Sequence, residues 1–189
     1  SMLSSLNIKN FKSYVEAVLP LAFTTFLIGP NASGKSNALE AFWLLHWLAR
    51  GMRLDDIVRN IQNGCAHIRG RADDLFKDMT EALTIGCHLD DLDLSWNELQ
   101  IEIGMSDEQL VLEREAISCS SESLPLYHVE GIQSKYTDVL RVIYNNFKRV
   151  KTKPRILCIK QQAMFYQLET PERFLQKDTR AQKKIPAVT

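Results

Sequence analysis

The sequence predicts an α/β fold, with a mixed sheet around one central helix and an antiparallel β-subdomain beside it. Three observations predict this. Residues 22–29, "AFTTFLIG", are a β-branched and aromatic run with little alternation, the pattern of a strand buried on both faces. After a glycine-rich turn, residues 36–50 carry Leu39, Phe42, Trp43, Leu44, Leu45, Trp47 and Leu48. A helix so composed has almost no polar face and is expected to be central and covered. From residue 83 to residue 118 the hydrophobic period becomes two, as in a meander of antiparallel strands.

The remaining elements follow in chain order. "SSLNIKNF" alternates, with Leu6 and Ile8 on one face and Asn7 and Lys9 on the other; "YVEAVLPL" aligns Val15, Ala17 and Leu19. Residues 50–64 continue as a second short helix, and residues 65–78 are a polar connection with a helical turn. The meander turns near Asp90 and Ser106, and residues 118–125 form a loop. Residues 133–150 read as an amphipathic helix carrying Val139, Leu140, Val142, Ile143 and Phe147. A strand at 155–159 precedes a charged final stretch. The chain so divides into 2–50 (first strands, turn and helix), 51–80 (helical connection), 81–130 (meander) and 131–189 (helix, strand and tail).

Composition bounds the function. At 189 residues, 45% hydrophobic and 24% charged, the chain reads as one ordinary globular domain. Lys plus Arg equals Asp plus Glu at 23 each, so no overall positive field draws it to nucleic acid. Cys65, Cys87, Cys119 and Cys158 are far apart, without a CxxC pair; free thiols in a cytoplasmic protein are expected. No apolar run approaches the ~20 residues of a membrane span. "SMLSS" lacks the basic start and apolar core of a signal peptide, and Ser1 before Met2 reads as a cloning remnant.

The chemistry concentrates in Gly29, Pro30, Asn31, Ala32, Ser33, Gly34, Lys35 and Ser36, which fit G-x-x-x-x-G-K-[ST] at every fixed position. Such a loop wraps a phosphate with successive backbone N–H groups. The glycines permit torsions and approaches that a Cβ obstructs. Lys35 would neutralise the β- and γ-phosphates of a nucleotide, and the Ser36 hydroxyl would ligate Mg²⁺. Ser36 also opens the helix, whose positive end would face the anion. A strand running in and an apolar helix running out are the context that a P-loop NTPase requires.

Residues 6–45 resemble the N-terminal lobe of RecF/SMC-like ABC ATPases, nearest to the AAA-type ATPases related to the overcoming-lysogenization-defect (OLD) proteins of prokaryotes. The shared pattern is carried by Asn10-Phe11-Lys12-Ser13, by Gly29 through Asn37, and by Leu39-Glu40-Ala41; "HIRGRADDLF" is similar to an "RGG…LF" segment of that branch. The resemblance implies ATP and Mg²⁺ as ligands, with Lys12 near the nucleotide and Asn37 supporting the loop. It implies a Q-loop glutamine on Mg²⁺, for which Gln161 and Gln162 are candidates. It implies a second copy of the head, which completes each site with an "LSxG" signature. DNA and a nuclease domain or nuclease partner would be typical; a membrane would not.

Hydrolysis also needs a carboxylate on Mg²⁺ and a group that positions water. The family takes both from an apolar strand ending in Asp-Glu. "LTIGCHLDD" ends in acids, but Gly86 and His88 interrupt the run, and it reads as an exposed hairpin. No "LSGG" variant occurs. The expectation is therefore an incomplete ABC-type head whose Walker B acids and signature lie elsewhere, inactive by itself. A complete module that binds nucleotide without hydrolysis is the alternative. Another P-loop enzyme is disfavoured: the Asn-Lys-x-Asp guanine reader of a GTPase is missing, and no acceptor site or lid of a kinase is evident. His46, His67, His88 and His128 lack metal-ligand spacing, and the acids at 73–74 and 90–93 read as solvated turns. "FKRVKTKPR" reads as a solvated basic run, with contact to a nucleic-acid backbone the sharper option.

Overall fold

The computed structural model describes residues 2–21, 33–64, 67–90, 96–131, 136–145 and 152–168. The strand expected at 22–29 lies outside them. The elements in order are β1 (Met2–Phe11), β2 (Tyr14–Pro20), α1 (Ser33–Ala49), α2 (Leu54–Gln62), a 3₁₀ turn (Asp73–Leu75), β3 (Leu83–Asp90), β4 (Glu98–Ser106), β5 (Gln109–Ser118), β6 (Tyr127–Val129), β7 (Val139–Tyr144), β8 (Arg155–Ile159) and α3 (Met164–Gln167). The expected alternation of β1 holds, with Leu6 and Ile8 buried and Lys9 exposed.

Five strands form one sheet in the order β2-β1-β3-β4-β5, and three form a second in the order β6-β7-β8. Every pairing among the described strands is antiparallel. Alternate residues of the large sheet point inward: Leu6, Ile8, Leu83, Ile85, Cys87, Ile101, Ile103, Leu110, Leu112 and Ile117. They join Ala41, Leu44, Leu45, Trp47 and Leu48 of α1, and Leu54, Ile57 and Ile61 of α2, in one cluster. The i, i+3, i+7 spacing of the three α2 residues puts them on a single face, as an amphipathic helix requires.

Two expectations about elements are overturned. "LTIGCHLDD" is not an exposed hairpin: β3 pairs with β1 on one side and β4 on the other, and Leu83 through Cys87 are buried. Gly86, which interrupts the apolar run, serves this position. A Cβ there would stand 2.2 Å from the Leu99 carbonyl oxygen of the neighbouring strand. The helix expected at 133–150 is instead represented by β7, the middle strand of the small sheet. Leu140, Val142 and Tyr144 are buried at alternate positions around the exposed Arg141, a period of two. Helix α1 is covered as expected on its sheet-facing side, but Leu39 and Phe42 on another flank remain 39% and 38% exposed.

Candidate functional site

The site begins where β1 ends. Asn10 is buried in the left-handed conformation, at φ 51°. Its amide nitrogen donates to the carbonyls of Asp78 (2.8 Å), Glu81 (3.1 Å) and Ala82 (3.2 Å), and its oxygen accepts the Asp78 N–H (2.7 Å). Phe11 is fully buried and bridges to Phe76, while the Lys12 N–H donates to the Leu75 carbonyl at 2.8 Å. These bonds fix a two-residue turn in which Phe11 pairs with Tyr14 and Lys12 is held at φ 52°. A left-handed non-glycine residue costs roughly 1 kcal/mol and persists where its surroundings over-determine it.

From this turn the Lys12 ammonium donates to the Arg69 carbonyl at 2.7 Å and lies 3.0 Å from a carboxylate oxygen of Glu40 in α1. Glu40 also accepts the Arg69 main-chain N–H at 3.2 Å and its guanidinium at 3.1 Å. The Asn37 amide donates to the Ser13 hydroxyl at 2.7 Å, tying the start of α1 to the β1–β2 turn. Gly70, at φ 89°, turns the 67–71 segment, and Asp74 accepts the Arg71 N–H at 2.8 Å. Lys12, Ser13, Asn37, Glu40, Arg69, Gly70 and Asp74 together line a cleft of about 510 Å³.

Of the sequence-predicted phosphate residues, Gly29, Pro30, Asn31 and Ala32 lie outside the described residues. Ser33 and Gly34 are the first helical positions of α1; Lys35, Ser36 and Asn37 follow in its opening turns, each half-buried. The first turn of α1 holds no acid, and a helix N-terminus favours a negative charge. A lysine, a hydroxyl and a helix N-terminus are a donor set that fits a phosphate group carrying Mg²⁺. Lys12 and Arg69 add two cations at the adjoining cleft.

The two glutamines are engaged elsewhere. The Gln161 side-chain oxygen accepts the Asp55 N–H at 3.0 Å and its nitrogen donates to the Leu110 carbonyl at 2.8 Å, while its main-chain carbonyl accepts the Leu54 N–H. Gln161 so caps the start of α2 with two acceptors. The Gln162 amide donates to the Gly51 carbonyl at 2.7 Å. Gln161 would have to leave the Asp55 N–H to present its side-chain oxygen to a metal. Asp90, at the end of β3, is exposed and lies 3.4 Å from the His88 ring; Asp91 lies outside the described residues.

Sequence reading assigned no role to Glu40, Arg69 or Ser13, although each stands in a segment it singled out. A signal for Glu40 was present, as an acid between Leu39 and Ala41 on a helix that is otherwise apolar.

A family model described as "AAA ATPase domain" matches residues 2–186. The chain is 39% identical over 64 residues to the DNA replication and repair protein RecF of Chlamydia caviae, a stretch that covers 33% of this chain and 17% of that protein. The match thus spans less than a fifth of the length of that relative. No solved structure matches the chain.

Proposed function

The chain belongs to the AAA ATPase domain family, and from that premise we propose that it is the ATP-binding lobe of an ABC-type head of the RecF/SMC-like kind, on the OLD-related branch. One observation carries the reading: the G-x-x-x-x-G-K-S motif runs into a long helix with no acid in its first turn, beside a cleft bearing Lys12 and Arg69. In this reading the loop from Gly29 to Gly34 wraps the phosphates of ATP, Lys35 neutralises them, and Ser36 holds Mg²⁺. Asn37 braces the loop against Ser13. Bound Mg²⁺ would supply charge neutralisation at the terminal phosphates.

A second head, through its signature segment, closes the site, and the Asp-Glu pair that positions water comes from outside these 189 residues. The chain alone then holds ATP without turning it over. The whole protein works in the cytoplasm on DNA or in anti-phage defence, with a nuclease domain or partner. The test is ATP turnover by the full-length native protein. Lys35→Ala is expected to abolish it and to weaken ATP·Mg²⁺ binding by at least about tenfold. Turnover indifferent to that substitution would defeat the assignment. Binding without turnover in the full-length protein would favour a regulatory module instead.

A further inference from the structure

Glu40 is an acid to which the phosphate-site reading gives no task. Its side chain is only 4% exposed on a helix whose neighbouring positions are apolar. A carboxylate so withdrawn from water persists only when paired and hydrogen-bonded. Its partners come from two segments distant in sequence: Lys12 from the β1–β2 turn, and the N–H and guanidinium of Arg69 from the connection after α2. Lys12 closes the triangle by donating to the Arg69 carbonyl. One carboxylate therefore fastens three segments together along one wall of the cleft.

We infer that Glu40 is a positioning residue for the nucleotide, which holds Lys12 and Arg69 ordered at the cleft wall before the ligand arrives. The inference rests on the nucleotide-binding reading above. Lys12 has three ammonium hydrogens, and Glu40 and the Arg69 carbonyl take two. The Arg69 side chain is 69% exposed, so most of its donor fork faces outward while one nitrogen stays on Glu40. Arg69 is thus anchored on Glu40 with most of its fork outward, while Lys12, whose side chain is 11% exposed, is held at the wall of the cleft that it lines. Long cationic side chains lose rotamer freedom on binding, and a partner that orders them beforehand removes that cost.

The sign of the effect separates this role from its opposite. Deleting Glu40 removes a negative charge from an anion site, which by itself would favour binding. It also loosens both cations and the 67–71 segment, which disfavours binding. Two cations at 3.0 Å and 3.1 Å already offset the Glu40 charge, so the loosening dominates. The left-handed Lys12 backbone supports the same view, since strain of that kind gathers where a side chain must be aimed.

The experiment is calorimetric titration of the 189-residue chain with ATP·Mg²⁺, with melting curves to verify folding. Glu40→Ala is expected to weaken binding at least about fivefold. Glu40→Gln, which keeps an acceptor for the Arg69 N–H, should fall between it and the unsubstituted chain. Lys12→Ala added to Glu40→Ala should cost much less than Lys12→Ala alone, because residues in one network are not additive. Binding unchanged or tightened in Glu40→Ala, or a fully additive double variant, overturns the inference. Should Glu40→Ala fail to fold, Glu40→Gln and Arg69→Ala decide it, and unaltered affinity in both overturns it. Lys35→Ala separates the two levels. If it binds like the unsubstituted chain, or if that chain does not bind, the nucleotide reading itself fails. If Lys35→Ala loses binding while the Glu40 variants retain it, only the positioning role fails.

Discussion

Glu115 points inward from β5 and is completely enclosed. Tyr127 donates its hydroxyl to it, and the N–H groups of Met164 and Phe165, at 2.8 Å and 2.7 Å, bind its two oxygens at the start of α3. Those three donors favour the carboxylate, but loss of solvent outweighs them and pushes its pKa up from 4.5 to about 7. The native state thus holds a proton that the unfolded chain releases between these values. The contribution of Glu115 to stability is complete below about pH 4.5 and is lost as pH rises toward 7, on the order of 3 kcal/mol. Glu115→Gln should flatten the difference between urea midpoints measured at pH 5 and pH 7; an unchanged difference would refute this account. Asn10-Phe11-Lys12-Ser13 stood out through the family resemblance, as the end of a strand, and there Asn10 staples a loop, Phe11 enters the core and the Lys12 ammonium binds the Arg69 carbonyl. Glu40 and Arg69 acquire their meaning from a contact between positions 29 apart, which no window along the chain contains.

Elements were readable in proportion to the clarity of their period. The β4–β5 hairpin announced itself by alternation, and its turn falls at Asp107 and Glu108, next to the predicted Ser106. Both turn residues have positive φ, at 49° and 63°, the twist that suits a two-residue hairpin but suits Asn-Gly better than Asp-Glu. Asp107→Asn with Glu108→Gly should stabilise the chain by about 1 kcal/mol, read as a raised urea midpoint at constant slope. A lowered midpoint would show that this turn is held by contacts other than its torsions. β7 was misread for a definable reason. Val139, Leu140, Val142 and Ile143 satisfy a helical spacing, since a middle strand that is partly buried on both faces puts apolar residues side by side. Its β-branched content and its six-residue length were the better guides. Gly86 misled in the same way: it looked like a break in β3 but permits close approach by β4.

At the scale of the molecule, both sheets and all three α-helices among the described residues share one apolar cluster, which includes Leu6 of β1 and Met164 of α3. That union was not legible, because it is made by pairings distant in sequence, such as Leu112 N–H with the Lys160 carbonyl at 2.8 Å. It also makes the cleft and the core parts of one cooperative unit. A ligand that binds only the folded chain, supplied at a hundred times its dissociation constant, adds about 2.7 kcal/mol. ATP·Mg²⁺ should therefore raise the melting temperature by roughly 5–10 °C, and Lys35→Ala should remove the shift. A shift that survives in Lys35→Ala would mean that the nucleotide sits elsewhere. The large sheet has a second consequence, for the behaviour of many molecules together. β2 is its border among the described strands, with Val15 and Val18 68% and 67% exposed. A border of that kind is a template on which further chains can crystallise strand by strand into fibres. Glu16, a charge between the two valines, and Pro20, without an N–H to extend the ladder, are features of this border that oppose edge-to-edge joining.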